Sequence, residues 1–156
     1  MRYFLIIMFV FTSWGVHADE IFPPGCKPII VKDESLILAA PKPMVVMIHS
    51  LAKGDIWVTH PVSDPSASAG WSSRLQSENW SALALHDKSF ELSCIESRPG
   101  HEQQIPCAGV LAVCQWGSEA MPAEEAGTYW AGENMTLSAL TAYIARRGFV
   151  LPAPSQ

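Results

Sequence analysis

The chain has 156 residues, 49% hydrophobic and 16% charged, with 10 Lys and Arg against 15 Asp and Glu for a net charge of −5. That length suits one ordinary domain, and the apolar content with six tryptophans excludes a disordered chain. The acid excess argues against nucleic acid or an anionic membrane surface as partner.

Residues 1–18 have the order of a secretory signal: Arg2, the apolar run Tyr3 to Phe11, then Val16-His17-Ala18 with small residues where signal peptidase reads. The run is shorter than the roughly 20 residues a membrane helix needs. Cys26 lacks the apolar residue expected three positions before a lipidated cysteine, since Pro23 stands there. The expectation is cleavage after Ala18, a single domain over 19–156, and no transmembrane span afterwards.

Beyond the leader, strand-like segments follow one another. Ile29-Ile30-Val31 and Leu36-Ile37-Leu38 flank the polar turn Lys32-Asp33-Glu34-Ser35, and Met44 to Leu51 is an apolar run bounded by Pro43 and Lys53-Gly54. In Ile56 to His60, Ile56 and Val58 share one face while Trp57 and Thr59 share the other. Trp80 to Leu85 alternates Ser81, Leu83 and Leu85 against Trp80, Ala82 and Ala84. After His86-Asp87-Lys88, Phe90, Leu92 and Cys94 face in and Glu91 and Ser93 face out, and Val110 to Trp116 makes a further strand. Six or seven short strands with turns between them predict an antiparallel β-sandwich, immunoglobulin-like or a similar Greek key.

The period then changes. Leu137, Leu140, Tyr143 and Ile144 recur at helical spacing, with Asn134 or Thr136 as N-cap, Arg146 and Arg147 at the C-terminal end, and Gly148 to stop the turn. This predicts one helix over about 136–147, with Phe149-Val150-Leu151 returning as an extended piece. The stretch 61–78 shows no regular period and is long for a loop. It is either a functional loop or a crossover that packs Trp71 and Leu75 into the core.

Four cysteines follow the leader: Cys26, Cys94, Cys107 and Cys114. An even count in an exported chain reads as a disulfide framework with three possible pairings. Cys107–Cys114 is excluded if Val110 to Cys114 is extended, because seven steps of about 3.3 Å exceed the roughly 7 Å a bridge spans. Of the two remaining pairings, Cys94–Cys107 with Cys26–Cys114 is preferred, because Cys94 ends one strand and Cys107 begins the next. No Cys-x-x-Cys is present to suggest a metal or redox motif.

His60-Pro61-Val62, Pro65-Ser66-Ala67-Ser68-Ala69-Gly70-Trp71, Trp80-Ser81-Ala82-Leu83 and Phe90-Glu91-Leu92-Ser93-Cys94, with Pro106-Cys107 and Val113-Cys114, resemble the enhanced entry protein EnhB family of Legionella-like bacteria. The likeness covers roughly His60 to Trp116 and consists mostly of turn, core and cysteine positions. It implies a shared fold and an envelope protein linked to entry into host cells or survival within them. It carries no catalytic residue.

Catalytic constellations fail on inspection. There is no Gly-x-Ser-x-Gly elbow, every cysteine has a bridge partner, and His60, Asp64, Ser66 and Ser68 crowd one loop that would hold a triad poorly. Glu124 and Glu125 are adjacent, so their side chains diverge. A blue-copper loop is missing, since no histidine follows Cys107 or Cys114. Met47 and His49 share a strand face and leave a thioether–imidazole Cu(I) site as the alternative, with Met44 pointing the other way. The residues favour a non-enzymatic, cofactor-free binding module, periplasmic or secreted, whose partner is an envelope or host protein or a glycan. Of the five indoles beyond the leader, Trp57 and Trp71 are the candidates for a binding surface.

Overall fold

A computed structural model describes residues 21–32, 34–60, 72–86, 90–122 and 129–152. The expected leader lies outside them. The described strands are β1 (Lys27–Ile29), β2 (Ser35–Leu38), β3 (Met44–Ser50), β4 (Ile56–Thr59), β5 (Ser72–Leu75), β6 (Trp80–Leu85), β7 (Phe90–Glu96), β8 (Gln104–Ile105), β9 (Leu111–Trp116) and β10 (Tyr129–Met135). They form two antiparallel sheets. Sheet A runs β1-β9-β3-β6-β10 and sheet B runs β2-β7-β4-β5, with β8 also paired to β7. Among these strands only β4–β5 and β7–β8 are both consecutive and hydrogen-bonded. The other connections cross between strands that do not pair, which makes this the expected antiparallel sandwich. β1 and β2, and likewise β6 and β7, therefore lie in different sheets and do not form hairpins.

Side-chain alternation explains the layers. Met44, Val46 and Ile48 of β3, Leu83 and Leu85 of β6, and Leu111 and Val113 of β9 point between the sheets, where they meet Leu36, Leu38, Ile56, Val58, Leu75, Phe90 and Leu92 of sheet B. The intervening residues Val45, Met47, Ala82, Ala84, Cys114 and Trp116 point to the opposite side of sheet A. There they pack beneath α1 (Leu137–Arg146), through Leu140 and Ile144, and against Cys26 and Phe149. Every residue of β3 and β6 is consequently buried. A fully buried aliphatic side chain of this kind contributes about 1.5–3 kcal/mol.

The helix can lie close because the sheet beneath it is lined with small residues. At Gly132, an added Cβ would stand 2.5 Å from Leu140 Cδ1 and 3.1 Å from Tyr143 Cδ1. Thr136 is the N-cap, its Oγ1 accepting the Ala139 N–H at 3.3 Å, whereas Asn134 belongs to β10. Gly148 ends the helix at φ +93°, a conformation that costs glycine nothing.

Both expected disulfides form. Cys26–Cys114 has a Cα separation of 5.4 Å and spans 88 residues; Cys94–Cys107 has 5.3 Å and spans 13. The first binds the segment before β1 to the helix-covered side of sheet A. Trp116 Nε1 donates to the Pro24 carbonyl at 3.1 Å in the same place. The second closes the base of the β7–β8 loop inside the core, and the Cys107 N–H donates to the Glu34 carbonyl at 3.0 Å.

Several boundaries differ from expectation. The first strand is Lys27–Ile29, and Ile30 is 75% exposed beyond its end. Within the predicted loop, Ser72–Leu75 forms the edge strand β5, with Ser73 and Leu75 turned inward. Its polar, four-residue sequence gave no apolar period to read. Phe149-Val150-Leu151 is not a strand; Phe149 is buried in the layer under the helix. The edge strand β10 was not predicted at all, because Gly132-Glu133-Asn134 and two register shifts break its alternation.

Candidate functional site

The outer faces of the two sheets differ in what covers them. Sheet A lies under α1 and the segment before β1, while no described element lies over the outer face of sheet B. The register of sheet B sets side chains on that face in rows. Trp57 of β4 stands between Ile95 of β7 and Arg74 of β5. The adjoining row is Ser35, Ser93, Thr59 and Ser72, four hydroxyls in line across the sheet. Beyond it Ile37 pairs with Glu91 and is 67% exposed.

Local sequence explains why Trp57 faces outward. Ile56 and Val58 are drawn into the core, so period-two alternation sends Trp57 and Thr59 to the other side, where both are half-buried. Arg74 is held beside the indole by its ion pair with Asp55. Next to this pair a cleft of about 480 Å³ opens between the 51–55 loop and the base of the β7–β8 loop. Ile56, Ile105 and Val110 line it with apolar surface, and Lys53, Asp55, Glu96 and Arg98 supply its charge. Arg98 and Glu96 are themselves paired at 2.7 Å. The Cys94–Cys107 bridge and the Ser97 N–H donated to the Asp55 carbonyl at 3.1 Å fix the two walls. An indole face, a guanidinium, a hydroxyl row and a charged cleft can stack and hydrogen-bond a partner.

Trp71, the other predicted surface indole, lies outside the described residues, as do Asp64, Ser66 and Ser68. Trp80 and Trp116 are core residues, 4% and 2% exposed. Met47 and His49 do share the outer face of β3, but that is the covered face, and they are 0% and 7% exposed. The His49 ring stacks on Trp80 with centroids 4.3 Å apart, and its Nδ1 lies 3.2 Å from the Asn79 carbonyl. Burial pushes the His49 imidazole below its ordinary value, opposed by the Asn79 carbonyl and the Glu78 carboxylate. Met44 points into the inter-sheet core. His60 stacks on Phe90 at 4.2 Å and donates from Nδ1 to the Glu91 carbonyl at 2.7 Å. Among the described residues, no three or more His, Cys, Asp or Glu side chains gather into a metal-binding group.

The alternation around Trp57 points it outward, as the structure does, but gives no sign of Arg74, Ile95 or the cleft beside it. Only Ile56 and Val58 signalled the orientation of Trp57, whereas its neighbours depend on which strands pair. No helix among the described residues is long and apolar enough to cross a membrane. No protein-family model, curated protein or solved structure matches this chain.

Proposed function

We propose that this chain is an exported, disulfide-stapled binding module of the bacterial envelope, without catalytic activity, which holds an envelope or host protein or a glycan on the outer face of sheet B. The observation that carries the reading is the contrast between the two sheets: one outer face is sealed by a helix, and the other presents Trp57 beside Arg74 and Ile95. The resemblance to the EnhB family suits such a role in host-cell entry or survival. Two bridges and the leader-like start suit a periplasmic or secreted setting.

The test is Trp57→Ala, with Trp71→Ala in parallel, scored for capture of the partner from native envelope extract and for near-ultraviolet circular dichroism. Capture should weaken about tenfold or more, as for a central aromatic anchor, while the folded signal persists. Unchanged capture in both variants would overturn this surface assignment. The copper alternative draws on Met47 and His49 sharing a face, but Cu(I) would have to enter beneath the helix layer. Stoichiometric Cu(I) binding lost in Met47→Ala or His49→Ala would replace the binding-module reading.

A further inference from the structure

The outer face of sheet B sets an indole beside hydrogen-bonding groups that have no partners of their own. Ser35, Ser93, Thr59 and Ser72 stand in one row across β2, β7, β4 and β5. Among the described residues none of these hydroxyls is hydrogen-bonded, and neither is the Trp57 indole N–H. Three interstrand steps of about 4.8 Å make the row about 14 Å long. Two residue steps of about 3.3 Å separate it from the row of Gln104, Ile95, Trp57 and Arg74. The Arg74–Asp55 pair adds a donor and an acceptor next to the indole.

We propose, resting on the binding-module reading above, that the ligand of this face is an uncharged oligosaccharide of roughly two or three linked pyranose rings, the length of the hydroxyl row. One ring stacks on Trp57, and the hydroxyls of the chain bond along the serine and threonine row. A pyranose has an apolar C–H face, which lies well on an indole, and a rim of hydroxyls. Each sugar hydroxyl is both donor and acceptor, and so is each Ser or Thr hydroxyl, so the row can bond in either sense without a fixed charge. Water serves these groups in the free protein, and a sugar hydroxyl replaces that water like for like.

Charge gives no preference for an ionic guest. Arg74 is held by Asp55 and Arg98 by Glu96. Of the other charged residues described at the border of this face, Lys32 and Lys53 nearly balance Glu34, Glu91 and Glu102. A protein partner would need roughly 800 Å² of this surface with an apolar centre. The outward apolar side chains of the described sheet B strands are Trp57, Ile95 and Ile37, and the hydroxyl row lies between Ile37 and the other two.

The test places the full chain on a printed array of neutral hexose and N-acetylhexosamine oligosaccharides beside sialylated and sulfated ones, followed by titration calorimetry with the neutral oligosaccharides retained. Neutral oligosaccharides should bind, and raised salt should leave their affinity unchanged. Trp57→Ala should weaken them about tenfold or more and Trp57→Phe less, while Thr59→Val with Ser93→Ala should cost about tenfold. Amide protection of β3 and β6 should persist in each variant. An array that retains only charged glycans, or none, would overturn the proposal, as would equal binding by Thr59→Val with Ser93→Ala. So would capture from envelope extract that protease abolishes and periodate spares. If that capture still depends on Trp57, the glycan falls and the surface assignment stands; if it is indifferent to Trp57, both fall.

Discussion

The outer faces of sheets A and B are built from the same alternating pattern and end in opposite conditions. On sheet A, Val45, Met47, Ala82 and Ala84 meet a helix, and the side chains are closed away from solvent. On sheet B, the equivalent positions hold Trp57, Thr59, Ser93 and Arg74, half-buried or exposed. A strand buried on both faces reads as continuous apolar sequence, as β3 does, whereas one buried on a single face alternates, as β4 does. The sealed face stabilises the fold, whereas no described element closes the other.

The largest expected effect of breaking this asymmetry is at Cys26–Cys114, which clamps the cover onto sheet A. Replacing both cysteines with serine should cost about 4–5 kcal/mol by the loop-entropy argument, measured by urea denaturation, against about 3 kcal/mol for Cys94 and Cys107. Met47→Ala should follow at about 2–5 kcal/mol, since it empties the centre of the covered layer. If Met47→Ala cost no more than Trp57→Ala, the sealed and open faces would not differ as described. Gly132→Ala should cost about 1–3 kcal/mol, because its methyl group would push Leu140 away. Its readout is the melting temperature together with helical ellipticity.

The smallest effect is pH-dependent and belongs to His49. Its imidazole is harder to protonate in the folded state than in the unfolded one. Between the two values the unfolded chain binds more protons, so stability rises with pH through that window. The contribution is complete above about 6.5, the ordinary imidazole value, and is lost as pH falls below it. His49→Gln should flatten this part of the stability profile, measured as melting temperature between pH 5 and 7.5. An unchanged slope would mean that another group sets it.

Much of this was legible in sequence. Strand segments, the helix and both bridges followed from alternation, period change and cysteine arithmetic. Sheet membership was not, because the turn residues at 32–35 and 86–88 serve a crossover as readily as a hairpin. Nor was the reason for the Ala82 and Ala84 pattern, which only the helix above it supplies. Three strands escaped: β5 for its polar Ser-Ser-Arg-Leu sequence, β8 for having only two residues, and β10 for the glycine and bulges that interrupt it. For the candidate site, Trp57 was readable from its neighbours in sequence. Its partners Arg74 and Ile95 come from strands 17 and 38 positions downstream, and only register brings them there.

The double burial of β3 has a consequence for the order in which the protein is made. Met44–Ser50 leaves the ribosome long before either of the strands it pairs with is complete, and its cover, Leu137–Arg146, appears later still. Throughout that interval Met-Val-Val-Met-Ile is a sticky, β-prone stretch with nothing to hold, and a nascent chain in that state aggregates readily. A carrier that keeps the chain extended until Leu137–Arg146 has appeared would protect β3 throughout that interval.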